Sequence, residues 1–146
     1  MKVEAAMRHP IHAMFVHFPL ALLGTSLGFD VAALVRHSAI FWAIAFWNMA
    51  AGLVIALATV TSGLVDSAGV PPESSASPVV TRHLLVMLAA LGCYGAALIV
   101  RGGADAPFGP ALLATLALEG VGLGLLLFGG WLGGELVYRY GVGRAR

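Results

Sequence analysis

The chain has 146 residues, 60% hydrophobic and 10% charged, with a formal net charge of +1. One domain of this size has too little interior to hide several apolar runs longer than about 18 residues, which argues against a soluble globular fold. The absence of a basic run argues against a nucleic-acid interface. The lone Cys93, set in an apolar run, cannot form an intrachain disulfide and is a poor start for a cysteine-based metal site.

A bilayer core about 30 Å thick takes roughly 20 apolar residues per helix, and the chain has room for four such spans. The first is predicted over 13–35. Lys2 and Arg8 ahead of it give a signal-like positive start. The stretch carries His17, Pro19 and Asp30, however, and lacks a small-x-small cleavage site, so it reads as a retained span. Pro19 is expected to leave the Phe15 carbonyl unpaired and to bend the span beside His17.

A turn at Arg36-His37-Ser38 makes the second span, 40–64, an antiparallel neighbour. Trp42 and Trp47 near its start are read as interfacial aromatics. The segment 67–82, with Pro71, Pro72, Pro78 and four serines, reads as an irregular loop. Thr81 is a candidate cap for the third span, 83–100. Pro110 suits the first turn of the fourth span, 110–132, and the tail from Gly133 is polar and glycine-rich.

The predicted fold is therefore all-α, an integral membrane antiparallel four-helix bundle forming a single domain over 1–146. The face with both termini and the long loop carries Lys2, Arg8, Arg82, Arg139, Arg144 and Arg146, against Arg36 and Arg101 opposite. That bias predicts both termini in the cytoplasm of a multi-pass inner-membrane protein. In the fourth span, Gly120–Gly124, Gly129–Gly133 and Gly130–Gly134 are small-xxx-small pairs, which allow close helix approach. Packing within the bundle is the first reading, a dimer interface the second, and a flat groove for a porphyrin or quinone ring the third.

Up-down-up-down threading gathers His9, His12, His17, Asp66, His83, Glu135, Tyr138 and Tyr140 at one end of the bundle. Imidazoles are costly in lipid, so several near one face call for a reason. Solvated or headgroup-bonded histidines are one explanation. Haem b held by two neutral imidazoles, His17 and His83, is another. A zinc or copper site from His9, His12, His17 and His83 with Asp66 is a third. No Ser-His-Asp or Cys-His arrangement and no phosphate loop is visible. Nearer the opposite face, Asp30, Asn48, Tyr94 and Glu119 are expected to meet. There Glu119 is protonated or bonded to Asn48 or Tyr94, serving as interhelical glue, a proton relay or a quinone-head site.

Three segments carry a resemblance. They are His9-Pro10-Ile11-His12 leading into Val16-His17-Phe18-Pro19, Thr61-Ser62-Gly63-Leu64-Val65-Asp66, and Gly130-Trp131-Leu132-Gly133-Gly134-Glu135-Leu136-Val137-Tyr138 with Gly141-Val142-Gly143. Together they resemble the bacterial family of small four-span membrane proteins called domain of unknown function 2231. Its recurring patterns are HPxHPxxVHFP near the start and GGxLVYxxGVG near the end. Ala13 stands where that family often has a proline, and Tyr140 where it often has a histidine. Some relatives are fused or adjacent to Rieske-type or cytochrome-like redox domains. The resemblance thus implies a haem- or metal-binding subunit of an electron-transfer system, with a redox protein or larger membrane complex as partner. A non-catalytic accessory subunit packing against such a complex is the alternative.

Overall fold

A computed structural model describes residues 11–142. Five helices follow in chain order: α1 (Ile11–Phe15), α2 (His17–Arg36), α3 (Ala39–Ser67), α4 (Ser77–Arg101) and α5 (Pro110–Tyr138). Taking α1 and α2 as one span, four segments are long and apolar enough to cross a membrane: His12–Arg36, Ala39–Ser67, Ser77–Arg101 and Pro110–Tyr138. The all-α four-span architecture is as the sequence predicts.

The helix is interrupted at Val16, between α1 and α2. Pro19 has no N–H to give the Phe15 carbonyl, so the break falls where that bond is missing. α2 then ends in a left-handed turn, with His37 at φ 50° and the Ser38 N–H bonded to the Ala33 carbonyl. This reversal sets α3 antiparallel to α2.

The long loop is shorter than predicted. α4 begins at Ser77 with Pro78 in its first turn, where the missing N–H costs nothing. Thr81 is accordingly not a cap but an interior residue whose hydroxyl donates to the Ser77 carbonyl at 3.2 Å. His83 lies more than a turn inside α4 rather than opening it. α5 also outruns its predicted end and carries the helix to Tyr138. The turn after it is closed by Gly141 (φ 68°) and by the Val142 N–H donating to the Leu136 carbonyl at 2.9 Å.

α2 packs chiefly on α3, and α4 on α5, so the bundle is two hairpins laid together. Its centre is Leu23, Met49, Ala90, Tyr94, Ala97 and Leu126. A smaller apolar cluster at the α3–α4 loop end joins Ala76, Val79, Leu132 and Leu136, with Tyr140 and Val142 against it. Many large apolar residues, including Val54, Leu85, Ile99 and Leu113, point outward. In lipid that exposure carries no hydrophobic cost.

The glycines of α5 divide between two faces. A Cβ at Gly122 would come within 2.8 Å of Tyr94, and one at Gly133 within 3.3 Å of His83; Gly129 is likewise tight against Met87. These three admit α4. A Cβ at Gly120, Gly124, Gly130 or Gly134 would meet nothing among the described residues. Of the three small-xxx-small pairs, Gly129–Gly133 therefore packs within the bundle as expected, while Gly120–Gly124 and Gly130–Gly134 face away from it.

Candidate functional site

The first polar site lies at the end of the bundle where α1, the end of α3, the start of α4 and the end of α5 meet. His12 Nδ1 is 2.9 Å from the Thr59 carbonyl. His83 Nδ1 is 2.8 Å from the Gly129 carbonyl. A carbonyl only accepts, so each Nδ1 carries the hydrogen and each Nε2 keeps its lone pair.

Glycines make room for both rings. A Cβ on Gly63 would come within 2.9 Å of the His12 ring, as one on Gly133 would come within 3.3 Å of His83. The motif residues thus acquire roles. Gly63 of the Thr61-Ser62-Gly63 segment seats the histidine of the first motif, and Gly133 of the last motif seats His83.

The other residues expected here are placed differently. His17 is exposed, whereas His12 and His83 are half-buried and each is held by a backbone carbonyl. Asp66 is exposed on the last turn of α3. Glu135 accepts from Arg139 at 2.8 Å, Arg139 lies over the Tyr140 ring, and Tyr138 is exposed. His9 lies outside the described residues. Among the described residues no three of His, Cys, Asp or Glu converge as metal ligands. The donor set that is present, two neutral imidazoles with free Nε2 atoms, suits a group ligated from two sides. An apolar groove of about 490 Å³ runs between α3 and α4 from Val60 and Thr61 towards Leu53, bordered by Leu88 and Gly92.

The second polar site is buried. Arg101 Nη1 donates to both Asp30 oxygens, at 2.7 and 2.6 Å, and neither side chain is exposed. Nη2 donates to the Trp42 carbonyl at 2.6 Å, Nε to the Gly103 carbonyl at 3.1 Å, and the guanidinium lies 5.5 Å from the Trp42 ring centre. Trp42 is therefore not an interfacial anchor; it is buried as a partner of Arg101. Trp47 is exposed.

Glu119 is fully buried beside this pair. Ser26 Oγ meets its Oε1 at 2.7 Å, and Asp30 lies one turn further along the same face of α2. The expected partner Asn48 is elsewhere: its Nδ2 donates to Thr25 Oγ1 at 3.1 Å. The Tyr94 hydroxyl, Thr115 Oγ1 and Glu119 Oε2 are buried with no hydrogen-bond partner. Asp30, Glu119 and Tyr94 thus belong to one cluster, and Asn48 does not.

Arg101, Ser26 and Thr115 escaped the reading of the sequence. Arg101 sits at a span end, where a cation ordinarily reads only as a topology signal. A better clue was available in Ser26–Asp30 and Thr115–Glu119. Each is an i, i+4 pair, which puts two polar groups on one helix face.

No curated protein and no solved structure is matched by the chain. A family model described as "Predicted membrane protein (DUF2231)" matches residues 8–146. With four apolar spans and a match over nearly its whole length, the chain belongs to the DUF2231 family of predicted membrane proteins.

Proposed function

We propose that this protein is a haem b-binding subunit of a membrane electron-transfer system, with His12 and His83 as the residues that would hold the haem. One observation carries the reading. Two histidines from different helices lie at one end of the bundle, each with Nδ1 bonded to a backbone carbonyl and Nε2 free. Ligating histidines are held in this way, because the carbonyl fixes both tautomer and ring orientation. Haem so ligated would supply one-electron oxidation and reduction at its iron. The chain's own part is to hold two neutral rings and to keep side chains off their faces at Gly63 and Gly133.

Charge supports an orientation with both termini in the cytoplasm of a bacterial inner membrane. Arg101 is buried against Asp30. At the end opposite the histidines, that leaves Arg36 as the one exposed cation among the described residues.

An absorption spectrum of the purified protein tests the assignment. The expected result is a Soret band that is lost in His12→Ala and in His83→Ala and kept in His17→Ala. A colourless protein, purified from cells supplied with haem, would refute the haem reading. Stoichiometric zinc or copper in that protein would favour the metal site, with His9 as a further ligand. A colourless, metal-free protein that co-purifies with a larger complex would favour the accessory-subunit reading. The four outward glycines of α5, which let another helix approach, are the observation on that side.

A further inference from the structure

We propose that Asp30, Glu119 and the hydroxyls of Ser26, Tyr94 and Thr115 form an exchangeable-proton site inside the membrane, with Arg101 as its fixed counter-charge. This does not rest on the haem reading. Along α5, Glu119 lies ten residues from Gly129, about 15 Å from the level where His83 is anchored.

The hydrogen bonding around Glu119 needs a proton that no neighbouring hydroxyl supplies. Ser26 Oγ lies 2.7 Å from Glu119 Oε1 and 2.8 Å from the Leu23 carbonyl. It has one hydrogen and two acceptors. Asp30 lies one turn beyond Ser26 on the same face of α2, so a second carboxylate stands on the side that meets Glu119. A proton on Glu119 resolves the Ser26 contact: Glu119 donates to Ser26 Oγ, and Ser26 then donates to the Leu23 carbonyl. Asp30 is the ionised partner, because both of its oxygens face Arg101 Nη1.

Charge balance points the same way. With Glu119 protonated, Asp30 and Arg101 cancel and the cluster is neutral. Losing that proton leaves a net charge of −1 in a buried layer, which is costly in lipid unless donors receive it. Donors are present. The Tyr94 hydroxyl and Thr115 Oγ1, both fully buried, have no partner. Thr115 is unusual among the described residues in this respect. Thr25, Thr59, Thr61 and Thr81 each donate to the carbonyl four residues back, as helical threonines commonly do. Tyr94 and Thr115, the latter one turn before Glu119 on the same face of α5, thus have donors not engaged elsewhere, and Glu119 Oε2 is also unpaired. A cluster built only to glue helices together would have its donors engaged.

The titratable and charged groups around Glu119 are Asp30 from α2 and Tyr94 and Arg101 from α4, with Cys93 beside Tyr94; α3 contributes the Trp42 carbonyl and ring to Arg101. Proton uptake transfers a proton from solvent hydronium to Glu119, breaking one O–H bond on the donor as one forms on the carboxyl, and takes the cluster from −1 to zero.

Infrared spectroscopy of the full chain in lipid nanodiscs tests this. Wild type should show a carboxylic-acid C=O band at neutral pH that shifts in D2O and is lost reversibly on alkalinisation. Glu119→Gln should lack it. Should that variant not fold, [13C]glutamate against [13C]aspartate labelling of wild type identifies the group. Tyr94→Phe and Thr115→Val each remove a donor to the anion. At a given alkaline pH each should hold a roughly tenfold higher ratio of acid to carboxylate than wild type. No acid band at neutral pH would overturn the proposal. So would a band that neither exchanges in D2O nor titrates before unfolding, or donor variants that titrate as wild type does.

Discussion

Arg101→Leu is the most informative single substitution for stability. The guanidinium ties α4 to Asp30 of α2 and to the Trp42 carbonyl at the start of α3, so it fastens one hairpin to the other. Removing it leaves the Asp30 carboxylate buried without a counter-charge. Breaking a buried pair from one side costs about 3–5 kcal/mol. The Trp42 carbonyl loses a donor too, but it lies in the first turn of α3 and can still accept within the helix, so this adds about 1 kcal/mol at most. Total stabilities of about 5–15 kcal/mol are usual, so the variant should lose about a fifth or more of its margin. Asp30→Asn in the same background removes the stranded charge. The double variant should therefore be more stable than the sum of the two single losses implies, with a coupling of about 2 kcal/mol or more. Reversible unfolding in mixed micelles, followed by circular dichroism, gives all four corners of the cycle. A loss under about 1 kcal/mol for Arg101→Leu, or additivity within about 0.5 kcal/mol, would refute the reasoning.

Other substitutions probe the rest of the frame. His37→Gly should stabilise the chain by about 1 kcal/mol, because His37 holds φ 50° on an exposed turn where a Cβ is strained; a melting temperature unchanged or lowered would count against this. Gly52→Ala should cost about 1–3 kcal/mol, since its Cβ would lie 2.8 Å from two atoms of the fully buried Leu23; denaturant midpoints measure it. Glu135→Gln should cost about 0.5 kcal/mol or less, because Arg139 is mostly solvent-exposed; a loss above 1 kcal/mol in the same unfolding assay would show a larger role for the pair.

Length and hydropathy alone determined four spans, their antiparallel threading and the end of the bundle where His12 and His83 lie. A bilayer demands about 20 apolar residues per helix whatever they pack against, and short connections leave each helix beside the last. Rotation about each helix axis was not legible. In water the apolar stripe marks the inward face, but here the inward face holds Ala33, Ala45, Ala90 and Ala97 with Asp30, Glu119 and Arg101, while Val54, Leu85 and Ile99 face out. Hydrophobicity is then nearly the same all round, and no period in it separates His12 from His17. Only the packed structure decided that Pro19's break and the gap at Gly63 turn His12 inward while His17 is exposed. Only the packed structure, too, joined Arg101 to Asp30 across 71 residues of chain. Such choices are made by side-chain volume and by the need of each buried polar group for a partner, and both are properties of the assembled helices rather than of any one of them.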